Sequence, residues 1–326
     1  MEKSISDKLK SKLPDIQENI LLKYCTTYKI GGPAKYFFIA KTKDDLMTAL
    51  KTAKSLRLPV LILGGGSNLL VSEKGFKGLV VKINILDVKF ENNKIFVGAG
   101  ASLTKLAYLS ADNGLSGLEW SAGVPGTIGG AIYGNAQAFG EKISDLVESV
   151  ELINLKTLKS SSFTKKQCKF SLKNSVFKNP PVGGKNLIIV SAVLEFRNDE
   201  VEKIKSQIKK NLDYRRSNHP MDFPSAGSVF INPELKIKNK ELLEKFPELN
   251  GYNKKGVIPA GYLIAKCGLV GKKIGNAQIS EKHANFIINL GEAKSKDVLT
   301  LISLAQKKVK KNFRINLETE VQLVGF

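Results

Sequence analysis

Two glycine-rich segments are the residues of this sequence best suited to hold a ligand through the backbone. The first reads Gly64-Gly-Gly-Ser-Asn-Leu69, and the second reads Ser121-Ala-Gly-Val-Pro-Gly-Thr-Ile-Gly-Gly-Ala131. Glycine has no Cβ and adopts positive φ without steric cost, so N–H groups in such loops can approach a phosphate closely. Two such loops suggest one phosphate-bearing cofactor, although two tight hairpins would explain them equally well.

The first glycine loop does not match the common nucleotide-binding motifs. It lacks the third glycine of the dinucleotide fingerprint, and the following Leu69 to Val71 predicts a strand where that fingerprint requires a helix. A second candidate, Gly268-Leu-Val-Gly-Lys272, has the wrong spacing for a phosphate loop of the Walker type. A Rossmann domain and a Walker-type nucleotide site are therefore disfavoured.

The net charge of +21 invites a nucleic-acid function, but the composition argues against it. Only five of the 51 basic residues are arginine, which is the residue favoured for base readout and phosphate clamps. The lysines are scattered along the chain without interleaved aromatic residues. A general lysine bias explains this pattern, and an anionic small-molecule substrate is compatible with it.

Cysteine and histidine usage argues against a disulfide framework and a metal centre. Cys25, Cys168 and Cys267 are odd in number and far apart, and only His219 and His283 accompany them. No apolar run approaches the roughly 20 residues of a membrane span, and the first ten residues lack the apolar region of a secretory signal. We therefore expect a cytoplasmic protein without metal, membrane or nucleic-acid partners. A monomer is also expected, although no residue pattern indicates the oligomeric state.

The elements that would position the first loop form a β-α-β unit. Residues 34–40 read as a strand, Thr42 as a helix N-cap, and Val60 to Leu63 as the strand that delivers the glycines. Residues 79–83 and 94–98 are predicted to be strands of a further sheet.

Around the second loop, Ser102 is expected to cap a helix that Gly114 closes. Residues 133–137 are too polar for a core strand, which favours a loop facing a ligand. Residues 147–155 and 187–197 return to strand character.

The two ends of the chain carry weaker signals. Residues 1–20 suggest a short helix on the surface, and apolar residues from Val201 to Leu212 at spacings of three and four predict a long helix. Further on we expect strands around residues 280–285, a last helix capped by Ser295 and a final strand over residues 317–324.

Five motifs in this order resemble the UDP-N-acetylenolpyruvoylglucosamine reductase family, whose members make UDP-N-acetylmuramate for peptidoglycan. The motifs are Tyr28-Lys-Ile-Gly-Gly, Gly64-Gly-Gly-Ser-Asn-Leu-Leu-Val, Pro125-Gly-Thr-Ile-Gly-Gly-Ala, Ser225-Ala-Gly-Ser-Val-Phe-Ile-Asn-Pro and Leu317-Glu-Thr-Glu-Val. The short interval between Phe196 and Ser228 is similar to the subtype that lacks an extra tyrosine-bearing loop.

The resemblance implies an α+β protein with an FAD-binding domain of the vanillyl-alcohol-oxidase type and a smaller α+β substrate domain. The expected division is an extension (1–19), an FAD-binding domain (20–197, with subdomains of about 20–83 and 84–197) and a substrate-binding domain (198–326). The resemblance assigns the FAD to one tyrosine and both glycine loops: Tyr28, Gly64, Gly65, Gly66, Ser67, Asn68, Leu69, Gly123, Pro125, Gly126, Thr127, Gly129, Gly130 and Ala131.

The implied reaction passes a hydride from NADPH, through FAD, to the enolpyruvyl group of a UDP-sugar. Negative charge then builds toward the substrate carboxylate, so a nearby cation and a positioned acid are required. The resemblance makes Ser228 the proton donor and Glu320 a catalytic glutamate, and it places Asn232 at the substrate. His283 is a further candidate for substrate binding, with a hydrogen-bonded surface residue as the alternative.

One position departs from the family pattern. Where the family usually has arginine in Tyr-Arg-x-Ser, this chain has Lys173, which keeps the charge but loses the planar bidentate fork. We therefore expect a working but slower enzyme. An FAD-dependent oxidase or dehydrogenase of the same fold, acting on another hydroxy substrate, and a non-catalytic basic protein are the alternatives.

Overall fold

A computed structural model describes residues 4–178 and 187–326, which fall into two compact units. Unit 1 comprises Met1–Ile20, Pro33–Gly66 and Phe76–Arg215, and unit 2 comprises Leu21–Gly32, Ser67–Gly75 and Arg216–Phe326. The predicted division is contiguous, whereas two short segments of the first half of the chain belong to unit 2. One of them begins at Ser67, in the middle of the first glycine loop.

The α-helices of the described residues are α1 (Ile5–Lys10), α2 (Lys43–Ser55), α3 (Leu103–Asp112), α4 (Ile128–Gly134), α5 (Val201–Asn218), α6 (Lys240–Lys245), α7 (Glu248–Lys255), α8 (Ala260–Lys266) and α9 (Ser295–Phe313). Thr42 and Ser102 cap α2 and α3 as predicted, each accepting a backbone N–H with its side-chain oxygen. None of these helices is long and apolar enough to cross a membrane.

The strands of the described residues are β1 (Gln17–Leu21), β2 (Pro33–Ala40), β3 (Val60–Leu63), β4 (Leu69–Val71), β5 (Phe76–Ile83), β6 (Val88–Glu91), β7 (Lys94–Gly98), β8 (Leu115–Ser116), β9 (Gln137–Ala138), β10 (Glu141–Lys142), β11 (Val147–Asn154), β12 (Ser160–Thr164), β13 (Leu187–Glu195), β14 (Arg197–Asn198), β15 (Lys273–Ile274), β16 (Ala277–Ile279), β17 (Ile287–Asn289) and β18 (Gln322–Val324).

Unit 1 contains two larger sheets and the short pairs β9–β10 and β8–β14. The four-stranded sheet has the order β1-β2-β5-β3, with β2 and β3 both parallel to β5. The five-stranded sheet has the order β12-β11-β13-β7-β6 and is antiparallel. The prediction that β5 belongs to a further sheet is therefore wrong, because β5 inserts between the two strands of the β-α-β unit.

Unit 2 combines smaller sheets with α9. Strands β15, β16 and β17 form an antiparallel sheet, and β18 pairs in parallel with β4. The apolar face of α9, including Val298, Leu301 and Ala305, is buried in the core of this unit as predicted. A separate core lies in unit 1.

Several local predictions at the ends of elements are wrong. The N-terminal helix is not merely a surface helix, because Leu9 is completely buried in the core of unit 1, and β1 follows it. Residues 280–285 connect β16 to β17 and are not themselves strand. The N-cap of α9 is Lys294, and the hydroxyl of Ser295 donates to Glu73. The last strand is only Gln322–Val324.

Candidate active site

The two glycine loops meet in unit 1, where β3 ends and the first loop begins. A Cβ built on Gly65 would lie 2.9 Å from the Cα of Gly126, and one built on Gly64 would lie 2.7 Å from Oγ1 of Thr127. Both distances are shorter than real Cβ contacts, so only glycine lets the two backbones come this close. The structure thus brings together the two segments that the sequence singled out.

The contact between the loops leaves several backbone donors available. The N–H groups of Gly65, Gly66, Gly126 and Thr127 have no acceptor within residues 4–178 and 187–326. Gly66 and Gly126 adopt positive φ of 63° and 143°, which turns successive peptide groups in different directions. Backbone N–H groups left without an acceptor in such glycine loops can bind anionic oxygens, so this part of the chain fits the pyrophosphate of a dinucleotide cofactor.

The rest of the second loop is helical, contrary to the predicted loop through Ala131. Helix α4 starts at Ile128 with Thr127 as its N-cap. The N–H of Gly129 donates to the carbonyl of Ala99 at 2.9 Å, and the N–H of Ala131 donates to that of Thr127 at 2.8 Å. These two groups are therefore already occupied, and a Cβ on Gly129 would meet Ala99 at 2.8 Å. Close packing of α4 explains that glycine.

Arg215 is a candidate that the sequence reasoning did not single out. Its side chain packs beside Gly123, it is only 7% exposed, and its Nη2 donates to the carbonyl of Trp120 at 2.8 Å. The Nε of Arg215 is buried with no acceptor among the described residues. Burial also lowers the pKa of the Arg215 guanidinium. Its guanidinium carbon lies 5.1 Å from the ring centre of Phe139. The scarcity of arginine in the chain was the one available signal.

Lys173 lies on a tight turn of unit 1. Ser171 and Asn174 exchange backbone hydrogen bonds of 3.1 and 3.2 Å across it, and Lys173 itself has a φ of +50°. The amide of Asn135 donates to the carbonyl of Ser171 at 2.8 Å, and Oγ of Ser175 donates to the carbonyl of Tyr133 at 2.7 Å. Residues 133–137, expected as a ligand-facing loop, thus end α4 and hold the turn that carries Lys173.

The segments that carry Ser228 and Glu320 are neighbours in unit 2, although 92 positions separate the two residues in the sequence. Ser228 forms an antiparallel bridge with Phe286, and Phe230 forms one with Thr319. The N–H of Glu320 donates to the carbonyl of Val229 at 2.8 Å. Glu320 is therefore opposite Val229 and one register position from Ser228 on the neighbouring segment.

Asn68, at the end of the first glycine loop, holds the Glu320 segment within unit 2. Its side-chain amide donates to the carbonyl of Glu320 at 3.0 Å, and its own carbonyl accepts the N–H of Gln322 at 3.0 Å. The pairing continues from Leu69 along β4 and β18. Asn68 thus contacts the segment of the predicted catalytic glutamate, and Leu69 pairs with β18, which begins two residues after that glutamate.

The other predicted binding residues of unit 2 differ in accessibility. Asn232 is exposed, and its Oδ1 accepts the N–H of Ala260 at 2.9 Å where α8 begins. His283 is half-buried, and its Nδ1 accepts the N–H of Asn285 at 3.2 Å. Burial lowers the pKa of this histidine, with its backbone hydrogen bond acting in the opposite direction. The acceptor role requires an unprotonated Nδ1.

Tyr28 is completely buried in unit 2. Its hydroxyl has no hydrogen-bond partner within residues 4–178 and 187–326, and burial raises its pKa. Its carbonyl accepts the side-chain amide of Asn289 at 3.0 Å. The prediction that Tyr28 binds the cofactor stays a prediction.

Two family models match the chain, one over the predicted FAD-binding domain and one over the predicted substrate-binding domain. Residues 34–157 match an FAD binding domain, and residues 219–324 match the C-terminal domain of UDP-N-acetylenolpyruvoylglucosamine reductase. The first range contains both glycine loops, and the second contains Ser228 and Glu320. These matches confirm the predicted α+β class and its FAD-binding half.

Similarity to individual proteins extends over the full length. The chain is 36% identical over 327 residues to the UDP-N-acetylenolpyruvoylglucosamine reductase of Anoxybacillus flavithermus, covering 100% of this chain and 99% of that protein. It is 35% identical over 327 residues to the Bacillus subtilis reductase, with the same coverage. The solved structure of the Thermus caldophilus reductase superposes with a TM-score of 0.73 at 30% identity, covering 95% of this chain and 100% of that one. The chain belongs to the UDP-N-acetylenolpyruvoylglucosamine reductase family.

Proposed function

We propose that the protein is an FAD-containing, NADPH-dependent reductase that converts the enolpyruvyl group of UDP-N-acetylglucosamine enolpyruvate to UDP-N-acetylmuramate for peptidoglycan synthesis. The observation that carries this proposal is the register that pairs the segment of Ser228 with the segment of Glu320 in unit 2, within a range that matches the reductase C-terminal domain. The glycine contact in unit 1 supports the cofactor assignment.

The cofactor is held by the first unit's backbone. The N–H groups of Gly65, Gly66, Gly126 and Thr127 bind the FAD pyrophosphate, with Arg215 beside the second loop as a further cation. FAD held by these residues would supply the hydride-transfer chemistry that links NADPH to the enolpyruvyl carbon.

The chain's own groups stabilise and protonate the substrate. Lys173 stabilises the negative charge that develops on the enolpyruvyl carboxylate, as a point charge where the family usually has a guanidinium. Ser228 donates the proton to the adjacent carbon, and Glu320 orients the reacting groups from the neighbouring segment. Asn232 and His283 bind the substrate.

Steady-state NADPH oxidation, with and without UDP-N-acetylglucosamine enolpyruvate, tests this proposal. We expect substrate-dependent oxidation, a loss of about 10²- to 10⁴-fold in Ser228→Ala, the range typical of acid–base groups, and a loss of turnover in Glu320→Gln. Glu318→Gln is the matched control, because Glu318 is exposed and two residues away on the same segment. Flavin reduced by a hydroxy acid, with no response to the UDP-sugar, would establish the oxidase alternative instead.

The cytoplasmic location and the monomeric state belong to the same proposal. Gel filtration coupled to light scattering measures the second directly, and a mass of twice 35.7 kDa would contradict it.

A further inference from the structure

Asn285 makes the backbone hydrogen bonds to the residues after Ser228 that a paired strand would otherwise make. Its side chain is 3% exposed. Its Oδ1 accepts the N–H of Phe230 at 3.0 Å, and its Nδ2 donates to the carbonyl of Phe230 at 2.8 Å. Its backbone carbonyl also accepts the N–H of Val229 at 2.8 Å. Three hydrogen bonds from one buried residue thus fix the two positions after the serine.

We propose that Asn285 is a positioning residue for Ser228, and that the reaction depends on the primary amide of its side chain. This inference rests on the proposed role of Ser228 as the proton donor. On the other side of the same segment, the N–H of Glu320 donates to the carbonyl of Val229. Asn285 and the Glu320 segment thus both hydrogen-bond to the backbone that directly follows Ser228.

The chemistry of the contact explains why an amide is needed. Phe230 presents one donor and one acceptor, and a primary amide satisfies both in one plane. An ionised carboxylate at position 285 could accept from the N–H of Phe230 but would face its carbonyl oxygen without a proton to share. A general acid works only within about 2.6–3.2 Å of the atom it protonates, and a misplacement of about 1 Å can cost about 10²-fold in rate.

The chain contains a matched control elsewhere in unit 2. Asn253 holds the backbone of Ile237 in the same way: its Oδ1 accepts the N–H of Ile237 at 2.9 Å, and its Nδ2 donates to the carbonyl at 2.8 Å. Ile237 is nine positions from Ser228 and has no assigned role. Asn253→Asp therefore reproduces the chemical change of Asn285→Asp at a site without a catalytic residue.

The experiment compares the FAD-loaded wild type with Asn285→Asp, Asn285→Ser and Asn253→Asp. Stopped-flow absorbance measures flavin reduction by NADPH and then flavin reoxidation by UDP-N-acetylglucosamine enolpyruvate. We expect Asn285→Asp to keep the first rate within about threefold and to lose about 10-fold to 10²-fold in the second. The milder Asn285→Ser provides a second test if the aspartate variant folds poorly. Melting temperature and FAD content identify misfolded samples.

Two further measurements separate positioning from general loss of structure. Lowering the pH should restore the reoxidation rate of Asn285→Asp relative to wild type, because a protonated carboxyl regains a donor for Phe230, and burial raises the pKa of such a group. Added to Ser228→Ala, the Asn285→Asp change should have no further effect on reoxidation, since the group that it positions is already gone.

The possible results are distinguishable. If Ser228→Ala leaves reoxidation unchanged, the proposed role of Ser228 fails, and the inference fails with it. If Ser228→Ala is slow but folded Asn285 variants reoxidise like wild type, only the inference is overturned. Equal losses in Asn285→Asp and Asn253→Asp would likewise overturn it, because they would show that stability alone governs the rate.

Discussion

Replacing Gly65 with alanine should separate the two glycine loops and weaken FAD binding. The new Cβ would lie 2.9 Å from the Cα of Gly126, about 0.5 Å short of ordinary contact, which begins near 3.4 Å. The obstructing atoms are backbone, so the loops must move apart, at a cost of about 1–3 kcal/mol, as for other overpacked sites. If this free-energy cost destabilises only the FAD-bound protein, the Kd for FAD rises about 5-fold to 150-fold.

Quenching of flavin fluorescence on titration into apoprotein measures the Kd, and thermal unfolding of the apoprotein measures the cost to the fold. The matched control is Gly134→Ala at the end of α4, where a new Cβ meets nothing within 4 Å. We expect this control to bind FAD like wild type. If Gly65→Ala also binds FAD with unchanged Kd, and the apoprotein melts at the wild-type temperature, the two loops do not form one cofactor site.

Three other perturbations test the remaining assignments. Lys173→Ala removes the positive charge and should lower kcat at least about tenfold, whereas Lys173→Arg adds the planar guanidinium and should raise kcat above wild type. An unchanged kcat in the alanine variant would exclude Lys173 from the reaction. Asn68→Asp removes the donor to the carbonyl of Glu320 and should reduce kcat at least about tenfold in steady-state NADPH oxidation. Burial lowers the pKa of His283 from its ordinary value of 6.5, so the unfolded chain takes up a proton first as the pH falls. Stability should therefore be full above pH 6.5 and decrease as the pH falls toward the lower folded-state pKa. Thermal melts between about pH 5 and 8 measure this slope, and an unchanged slope in His283→Gln would contradict the assignment.

Features determined by neighbouring residues could be predicted from the sequence. The caps at Thr42 and Ser102 and the buried face of α9 depend on residue types within one or two helical turns, and all are present. The glycines also predicted close backbone approach, which is visible in the residue type itself, and Gly65 does lie against Gly126. That the two loops bind one cofactor stays a prediction.

Features decided by distant partners could not be predicted in this way. Strand β5 has the same local pattern whether it starts a new sheet or inserts between β2 and β3. Ser295 resembles an N-cap, but its hydroxyl is taken by Glu73, 222 positions earlier. Arg215 was overlooked because its burial beside Gly123 is a tertiary property. In each case the choice between local alternatives is made by a partner that the local sequence does not reveal.

The first glycine loop shows that a contiguous motif need not act as one functional element. The chain passes from unit 1 to unit 2 between Gly66 and Ser67. Gly65 contacts Gly126 of the second loop, whereas Asn68 is bonded to the segment of Glu320. Gly65→Ala should therefore change the Kd for FAD more than kcat at saturating FAD, and Asn68→Asp should do the reverse. If both substitutions instead change mainly the Kd for FAD, the loop acts as a single cofactor-binding element. The assignment of Asn68 to the Glu320 segment as its functional partner is then wrong.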